Sequence, residues 1–206
     1  MPVRNWIYNS CKTIPASISA AGFFWRKMKE LLAKGIMLDS EGIRRTLARI
    51  AHEIVEKNDN LNDIVLLGIK TRGEFLAKRL SSLISVFEGI SVPCEVLDIS
   101  GYRDDVSVAI PVEKPIFNID VVDKTVILVD DVLFTGRTAR AGMEAVIKCG
   151  RPKRIQLAVL IDRGHRELPI RADYIGKNIP TSKSETIKVF LTEVDGIDEV
   201  TIKNNK

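Results

Sequence analysis

Two adjacent acids, Asp130 and Asp131, follow the apolar run Val126-Ile127-Leu128-Val129 in the stretch "VILVDDVLFTGRTAR". Thr135, Gly136, Arg137 and Thr138 come shortly after. Carboxylates only accept hydrogen bonds, so a pair of them suits paired hydroxyls such as a ribose diol. A Thr-Gly-Arg-Thr run that opens a helix offers backbone N–H groups, two hydroxyls and the positive end of a helix dipole. That combination suits a terminal phosphate monoester. A diol site and a phosphate site one strand-turn apart describe a ribose 5-phosphate. The plain alternative is that the acids cap a turn. Two carboxylates at a buried strand end are costly without partners, which weighs against it.

The elements that must position these groups can be read along the chain. "IVLLGI" (64–69) is a continuous apolar run, as in a strand buried on both faces of a parallel sheet. The turn "KTRG" follows it, then a helix whose buried face is expected to carry Leu76, Leu80, Leu83 and Phe87. "CEVLDIS" is a further strand, and the proline-containing "GYRDDVSVAIPVEKPIFNID" is a loop or extended arm. The acids then end a strand, and the helix after Thr138 stops at Gly150 and Pro152. "RIQLAVLID" (154–162) is the next strand. "RGHRELPIRADYIGKNIPTSKSE" is expected to be mostly loop, and "TIKVFL" a closing strand. Before all of these, Ile43, Leu47, Ile50 and Ile54 recur at helical spacing behind a cap at Asp39 or Ser40.

Alternating strands and helices predict an α/β fold with a mainly parallel sheet. Ligands in such folds bind at the carboxyl ends of the strands. Three polar turns should meet there: "KTRG", "DDVLFTGRT" and "DRGHREL". No GxGxxG follows a strand and no GxxxxGK[ST] occurs, so neither a dinucleotide fingerprint nor a P-loop is supported.

Composition bounds the remaining choices. The chain has 206 residues, 45% apolar and 28% charged, which suits one ordinary globular domain. The net charge of +4 is too small for a polybasic nucleic-acid binder, so any basic surface must be local. Cys11, Cys94 and Cys149 are far apart with no CxxC, the pattern of free thiols in a reducing cytosol. No apolar run approaches a membrane span.

The first acid of the chain is Glu30. A basic, Ser-containing segment without acids is what an organellar transit peptide looks like. A translated leader looks the same, and codons for Trp25-Arg26-Lys27 can spell a bacterial ribosome-binding sequence ahead of Met28. The leader is the preferred reading. Residues 1–35 are therefore taken as an extension that packs poorly, and 36–206 as the domain.

"VILVDDVLFTGRT" resembles the phosphoribosyl-pyrophosphate motif of type I phosphoribosyltransferases. With "GIKTRG", "YRDD", "RIAHEIVEKN" and "QLAVLIDRGHRELPIRADYIGKNIPTSKSE", the chain is similar over residues 36 to 202 to the bifunctional pyrimidine operon attenuator and uracil phosphoribosyltransferase proteins. The resemblance implies the type I fold, a mainly parallel sheet flanked by helices with a small hood. It implies Mg²⁺ with phosphoribosyl pyrophosphate, uracil as acceptor, UMP or UTP as bound nucleotide, a homodimer or larger homo-oligomer, and cytoplasmic location.

Roles follow position by position. Asp130 and Asp131 would hold the ribose hydroxyls, and Thr135, Gly136, Arg137 and Thr138 the 5-phosphate. Lys70, Thr71 and Arg72 would form the pyrophosphate turn, which in this fold often contains a non-proline cis peptide. Arg103 would act from the mobile arm, Arg163 would face the pocket, and the base would lie near Ile179 under the hood. Phe134 stands where relatives often carry Tyr, and the segment between "YRDD" and "VILVD" is shorter than in some relatives.

A stripe of Arg45, Arg49 and His52 shares one helix face. By itself it reads as a solvated face. The resemblance joins it to His165, Arg166, Arg171 and Lys177 as a concave surface for pyrimidine-operon leader RNA. Two functions therefore compete: a transferase that also regulates through RNA, and a plain salvage transferase. A pure RNA regulator with a dead site is disfavoured, since every expected pocket residue is present.

Overall fold

The computed structural model describes residues 35–102 and 117–204. Apart from Gly35, the expected N-terminal extension lies outside the described residues. So do Arg103 and most of the arm.

The chain begins with β1 (Ile36–Leu38) and α1 (Ser40–Lys57). Asp39 caps α1, its carboxylate accepting the Gly42 N–H at 2.8 Å. Ile43, Leu47, Ile50 and Ile54 are all buried, as their spacing predicts. All of β2 (Ile64–Ile69) is buried. In α2 (Arg72–Glu88), Leu76 and Leu80 are buried as expected. Ala77 and Ile84 complete that face, while Leu83 and Phe87 flank it half-buried. Residues 76, 77, 80 and 84 follow the 3.6-residue period; 83 and 87 lie at the edge of the stripe.

There follow β3 (Cys94–Leu97), β4 (Thr125–Leu133), α3 (Arg137–Cys149), β5 (Arg154–Asp162), β6 (Tyr174–Asn178), β7 (Glu185–Phe190), the short α4 (Thr192–Asp195) and β8 (Glu199–Asn204). Five strands form one parallel sheet in the order β3-β2-β4-β5-β6. Alternation assigns its two faces. Leu66, Ile127 and Val129 pack with α1 and α2, whereas Val65, Leu67, Val126 and Leu128 pack with α3. A second, antiparallel sheet, β1-β8-β7, forms the hood.

The structure differs from the sequence expectation at β6, a strand within the stretch expected to be mostly loop. Gly176 and the polar Lys177-Asn178 end disguise it. The glycine is required there, because a Cβ would lie 2.3 Å from the Leu160 carbonyl oxygen and 2.6 Å from Thr46 of α1. The strand is anchored by Tyr174, whose hydroxyl donates to Gln156 at 3.1 Å and accepts from Asn58 at 2.9 Å. Two hood strands were also unforeseen. β1 has only three residues, too few to show an alternation. β8 pairs with it and with β7 across the ends of the domain.

Because β2, β4 and β5 are parallel neighbours, their carboxyl ends share one edge. The turns after them converge there, as the sequence implied.

Candidate active site

β4 does not end at its acids. It continues through them to Leu133, with Asp130 opposite Val159 and Val132 opposite Ile161 on β5. The two carboxylates are thus fixed by sheet register and not by a loose turn. Asp130 accepts the Asp131 N–H at 2.9 Å, and Asp131 accepts the Val132 N–H at 2.8 Å. Burial pushes the Asp131 carboxyl above the usual range, opposed by the Val132 N–H and the charge of Arg72.

Immediately beyond lies a cavity of about 320 Å³ lined by residues 132–138. Gly136 supplies the turn at φ +94, a conformation that side chains with a Cβ rarely adopt, and α3 starts at the next residue. Leu168 and Ile170 pack against the turn, 3.4 and 3.5 Å from where a Gly136 Cβ would sit. The loop is braced from β5's end. Glu167 and Leu168 donate their N–H groups to the Thr135 carbonyl at 3.0 and 3.1 Å. Arg137 pairs with Glu167 at 2.9 Å. The geometry allows α3's first N–H groups and the Thr135 and Thr138 hydroxyls to meet one anion.

The turn after β2 lies near the acids, since the charge of Arg72 acts on Asp131, and its Lys70–Thr71 peptide is cis. Two glycines let it approach β4. A Cβ on Gly68 would lie 2.4 Å from the Gly73 carbonyl oxygen, and one on Gly73 only 2.2 Å from that of Val129. Lys70 pairs with Asp98 at 3.0 Å. Hydrogen bonds from the Ser100 hydroxyl and N–H, then from Lys70, hold Asp98 down at about 2. Arg72 reaches the hood, donating through Nη2 to both Asp195 oxygens at 3.1 and 3.2 Å.

Arg163 is 6% exposed and ties the end of β5 to the segment before β7. It donates to the Thr181 hydroxyl at 3.1 Å and the Glu185 carbonyl at 2.8 Å. Ile179 is buried in the core beside the same segment, its N–H bonded to the Asp162 carbonyl at 2.8 Å.

Comparison with known proteins shows the family and the fold. Residues 35–194 match the family described as "Phosphoribosyl transferase domain". The chain is 59% identical over 174 residues to "Bifunctional protein PyrR" of Clostridium novyi, covering 82% of this chain and 97% of that one. It is 56% identical over 178 residues to the protein of the same name from Bacillus subtilis, covering 84% and 98%. The chain belongs to the PyrR family of phosphoribosyltransferases. Among solved structures, hypoxanthine phosphoribosyltransferase of Trypanosoma cruzi shares the fold, with a TM-score of 0.64 at 18% identity over 83% of this chain and 97% of that one. The purine phosphoribosyltransferase of Pyrococcus horikoshii gives a TM-score of 0.54 at 28% identity, covering 68% and 85%.

The basic residues singled out for the second activity of a PyrR-type chain do not form one undivided patch. Arg45 is exposed on α1. Arg49 pairs with Glu53 and donates to the Ile175 and Gly176 carbonyls of β6 at 2.9 and 2.5 Å. That joins it to the neighbourhood of Lys177, which donates to the Met37 carbonyl at 3.2 Å. His52 stacks on Phe87 at 4.0 Å between ring centroids.

The other residues of the predicted set lie elsewhere. Arg171 borders a small crevice lined by Ala139, Met143 and Ile155 on the α3 side of the sheet. His165 contacts the Thr181 carbonyl at 2.5 Å. Arg166 is half-buried; it donates to the Leu133, Phe134 and Ile170 carbonyls at 3.3, 2.7 and 3.0 Å and pairs with Asp162 at 2.5 Å. These two side chains brace the pocket rim.

Sequence reading passed over Asp98, Glu167 and Asp195. Asp98 directly follows β3 and carried the signal of an acid at a strand's carboxyl end. Asp195 carried no such signal, since its partner is 123 residues away.

No helix among the described residues is long and apolar enough to cross a membrane.

Proposed function

We infer that the protein transfers the phosphoribosyl group of phosphoribosyl pyrophosphate to uracil, yielding UMP and pyrophosphate. Its second activity is regulation of the pyrimidine operon by binding leader RNA in a uridine-nucleotide-dependent way. The observation that carries the transferase reading is the placement of Asp130 and Asp131 on β4, directly ahead of the 135–138 loop and its cavity.

In this reading Asp130 and Asp131 grip the ribose 2′ and 3′ hydroxyls. Thr135, Gly136, Arg137 and Thr138 wrap the 5-phosphate, and Lys70, Thr71 and Arg72 take the pyrophosphate. Arg163 and the region of Ile179 border the base. Arg103, proposed to act from the arm, lies outside the described residues. The bond from ribose C1 to the pyrophosphate oxygen breaks, and a bond from C1 to a uracil nitrogen forms. The nitrogen gives up its proton and pyrophosphate leaves with the bonding electrons. No nucleophilic Ser or Cys is needed. Positive charge develops at C1, and the acids on β4 favour it electrostatically. The larger contribution is positioning: two anion-binding turns fix both ends of the donor and leave C1 between them.

Magnesium is implied by the family. Among the described residues no cluster of three or more His, Cys, Asp or Glu side chains could cage it. Asp130 and Asp131 still offer hard oxygen donors. Such a set fits an ion carried in with a polyphosphate, because magnesium is commonly bound by one or two carboxylates plus substrate phosphates. Asp130 and Asp131 would help to hold it, and it would supply charge neutralisation for the departing pyrophosphate.

For the second activity, Arg45, Arg49, His52 and Lys177 supply a basic strip for RNA phosphates and bases. Arg171 extends the set through a homodimer, whereas Arg166 and His165 are engaged at the pocket rim and would contribute to RNA only from its edge. Both activities belong to the cytoplasm. Assaying uracil against orotate, hypoxanthine and adenine with phosphoribosyl pyrophosphate tests the transferase; preference for any base but uracil overturns it. A gel shift with leader RNA tests the regulator, and its absence leaves a salvage enzyme.

A further inference from the structure

Arg72 and Arg79 lie two helical turns apart on one face of α2, and both hold the α4 segment of the hood. Arg79 donates to Glu193 at 2.9 and 2.6 Å and to Asp198 at 2.9 and 2.8 Å. Arg72 donates to both oxygens of Asp195. Asp195 in turn accepts the Leu191 N–H at 3.0 Å, so its carboxylate is fixed to the hood backbone. The two clamps differ in place. The Arg79 clamp stands well down the helix, while the Arg72 clamp is part of the cis turn itself.

We propose that Asp195 is a positioning residue for pyrophosphate binding, holding the Arg72 guanidinium ready at the start of α2. The inference rests on reading the 70–72 turn as the pyrophosphate site. Three observations support it. Arg72 is a long side chain that must be ordered before it can hold an anion. Asp195 orders it before any ligand arrives, which is how preorganisation raises affinity. Next, Nε of Arg72 is buried and makes no hydrogen bond among the described residues. A buried unsatisfied donor is expensive, and a shift of the turn that exposed it to a phosphate oxygen would satisfy it. Finally, Gly73 seats the start of α2 against Val129, beside the acids, so a small displacement of Arg72 is felt at the reacting end of the pocket.

The test uses the full chain and magnesium pyrophosphate as probe. Calorimetry gives its dissociation constant for wild type, Asp195→Asn and Glu193→Gln, and steady-state kinetics give KM for phosphoribosyl pyrophosphate and kcat. Asp195→Asn should weaken magnesium pyrophosphate about 10-fold and raise that KM by a similar factor, with kcat changed less. Glu193→Gln loosens only the distant clamp. It should lower Tm while leaving both constants within about 2-fold. Unchanged pyrophosphate binding in Asp195→Asn overturns the proposal, as does an equal loss in Glu193→Gln. If Asp195→Asn does not fold, Asp195→Ser is judged by the same constants. Failure of the wild-type chain to bind magnesium pyrophosphate removes the reading of the turn and the inference with it. Normal wild-type binding with an unaffected Asp195→Asn removes the inference alone.

Discussion

The guanidinium of Arg163 lies 4.0 Å from the ring centroid of Phe134. Phe134 directly precedes the 135–138 loop, and Arg163 directly follows β5 and bonds to Thr181 and to Glu185 at the start of β7. One contact therefore joins three parts of the pocket rim, with His165 adding an edge contact to the same ring at 6.4 Å.

That contact predicts how Phe134 tolerates change. Phe134→Tyr keeps the ring under Arg163 and should alter stability and transfer little, within about 0.5 kcal/mol. Phe134→Ala removes the cation–π contact and should cost about 1–2 kcal/mol, with a raised KM. Thermal unfolding beside steady-state kinetics checks both. Equal effects of Tyr and Ala would show that the ring face is irrelevant.

Asp131→Asn separates function from stability. An amide puts a donor where a diol needs an acceptor. Losing charged hydrogen bonds should cost roughly 3 kcal/mol in transfer, on the order of 100-fold. Stability should move the other way at neutral pH. Burial raises the Asp131 pKa in the fold. The stability linked to its neutral form is present below the unfolded value and is lost as pH rises through the folded one. Ionising Asp131 in the fold costs the wild type stability that Asn does not lose. Tm of Asp131→Asn should therefore exceed wild type near pH 7, and the gap should close as pH falls toward 4 and below. A gap that widens in acid would contradict the assignment.

Much of this pocket was legible because local pattern and tertiary role coincide. "IVLLGI" and "RIQLAVLID" are buried on both sheet faces, so their apolar runs gave β2 and β5 their full extents. The acids before Thr-Gly-Arg-Thr marked the end of β4 and the start of the loop and cavity beyond it. What stayed hidden depends on contacts distant in sequence. Gly176 looks like a loop residue until Thr46 of α1 is seen crossing it. Arg166 looks like a member of a basic patch, yet its guanidinium faces the Leu133 and Phe134 carbonyls at the end of β4. A charged residue shows its type in sequence but not its partner, so Arg72–Asp195 and Arg137–Glu167 appear only once the chain is folded.

Gly73→Ala should be far worse than Gly89→Ala. The first puts a Cβ 2.2 Å from a backbone oxygen of the central strand, where neither element can yield. A cost of about 3 kcal/mol or more is expected, with loss of pyrophosphate binding. Gly89 ends α2 at φ +69 with nothing within 4 Å of an added Cβ, so only backbone strain of about 1–2 kcal/mol remains. Denaturant unfolding of the two variants decides the order, and comparable costs would mean that the 68–73 turn can move away from β4.

The last prediction concerns RNA and its link to the pocket. Arg49 is an unsuitable probe of charge alone, because it also holds the Ile175 and Gly176 carbonyls of β6. Its removal should weaken both RNA binding and the fold. Arg45 is exposed on the same helix and is the cleaner probe. Arg45→Ala should lower RNA affinity, reduce the salt slope by about 1, and leave uracil transfer intact. Coupling to the pocket has a structural route. The chain runs from Arg163 at the rim through Arg166, which holds the phosphate loop, into β6, where Arg49 and Lys177 are anchored. UMP that orders the loop can thereby steady the basic strip. A coupling of about 1–3 kcal/mol is typical, and reciprocity requires RNA to tighten UMP by the same factor. Measuring RNA affinity with and without UMP, and UMP affinity with and without RNA, at fixed salt and magnesium closes the cycle. Equal RNA affinities in the two states would reject the coupling, and loss of the UMP effect in Arg166→Gln with RNA binding retained would place it on this route.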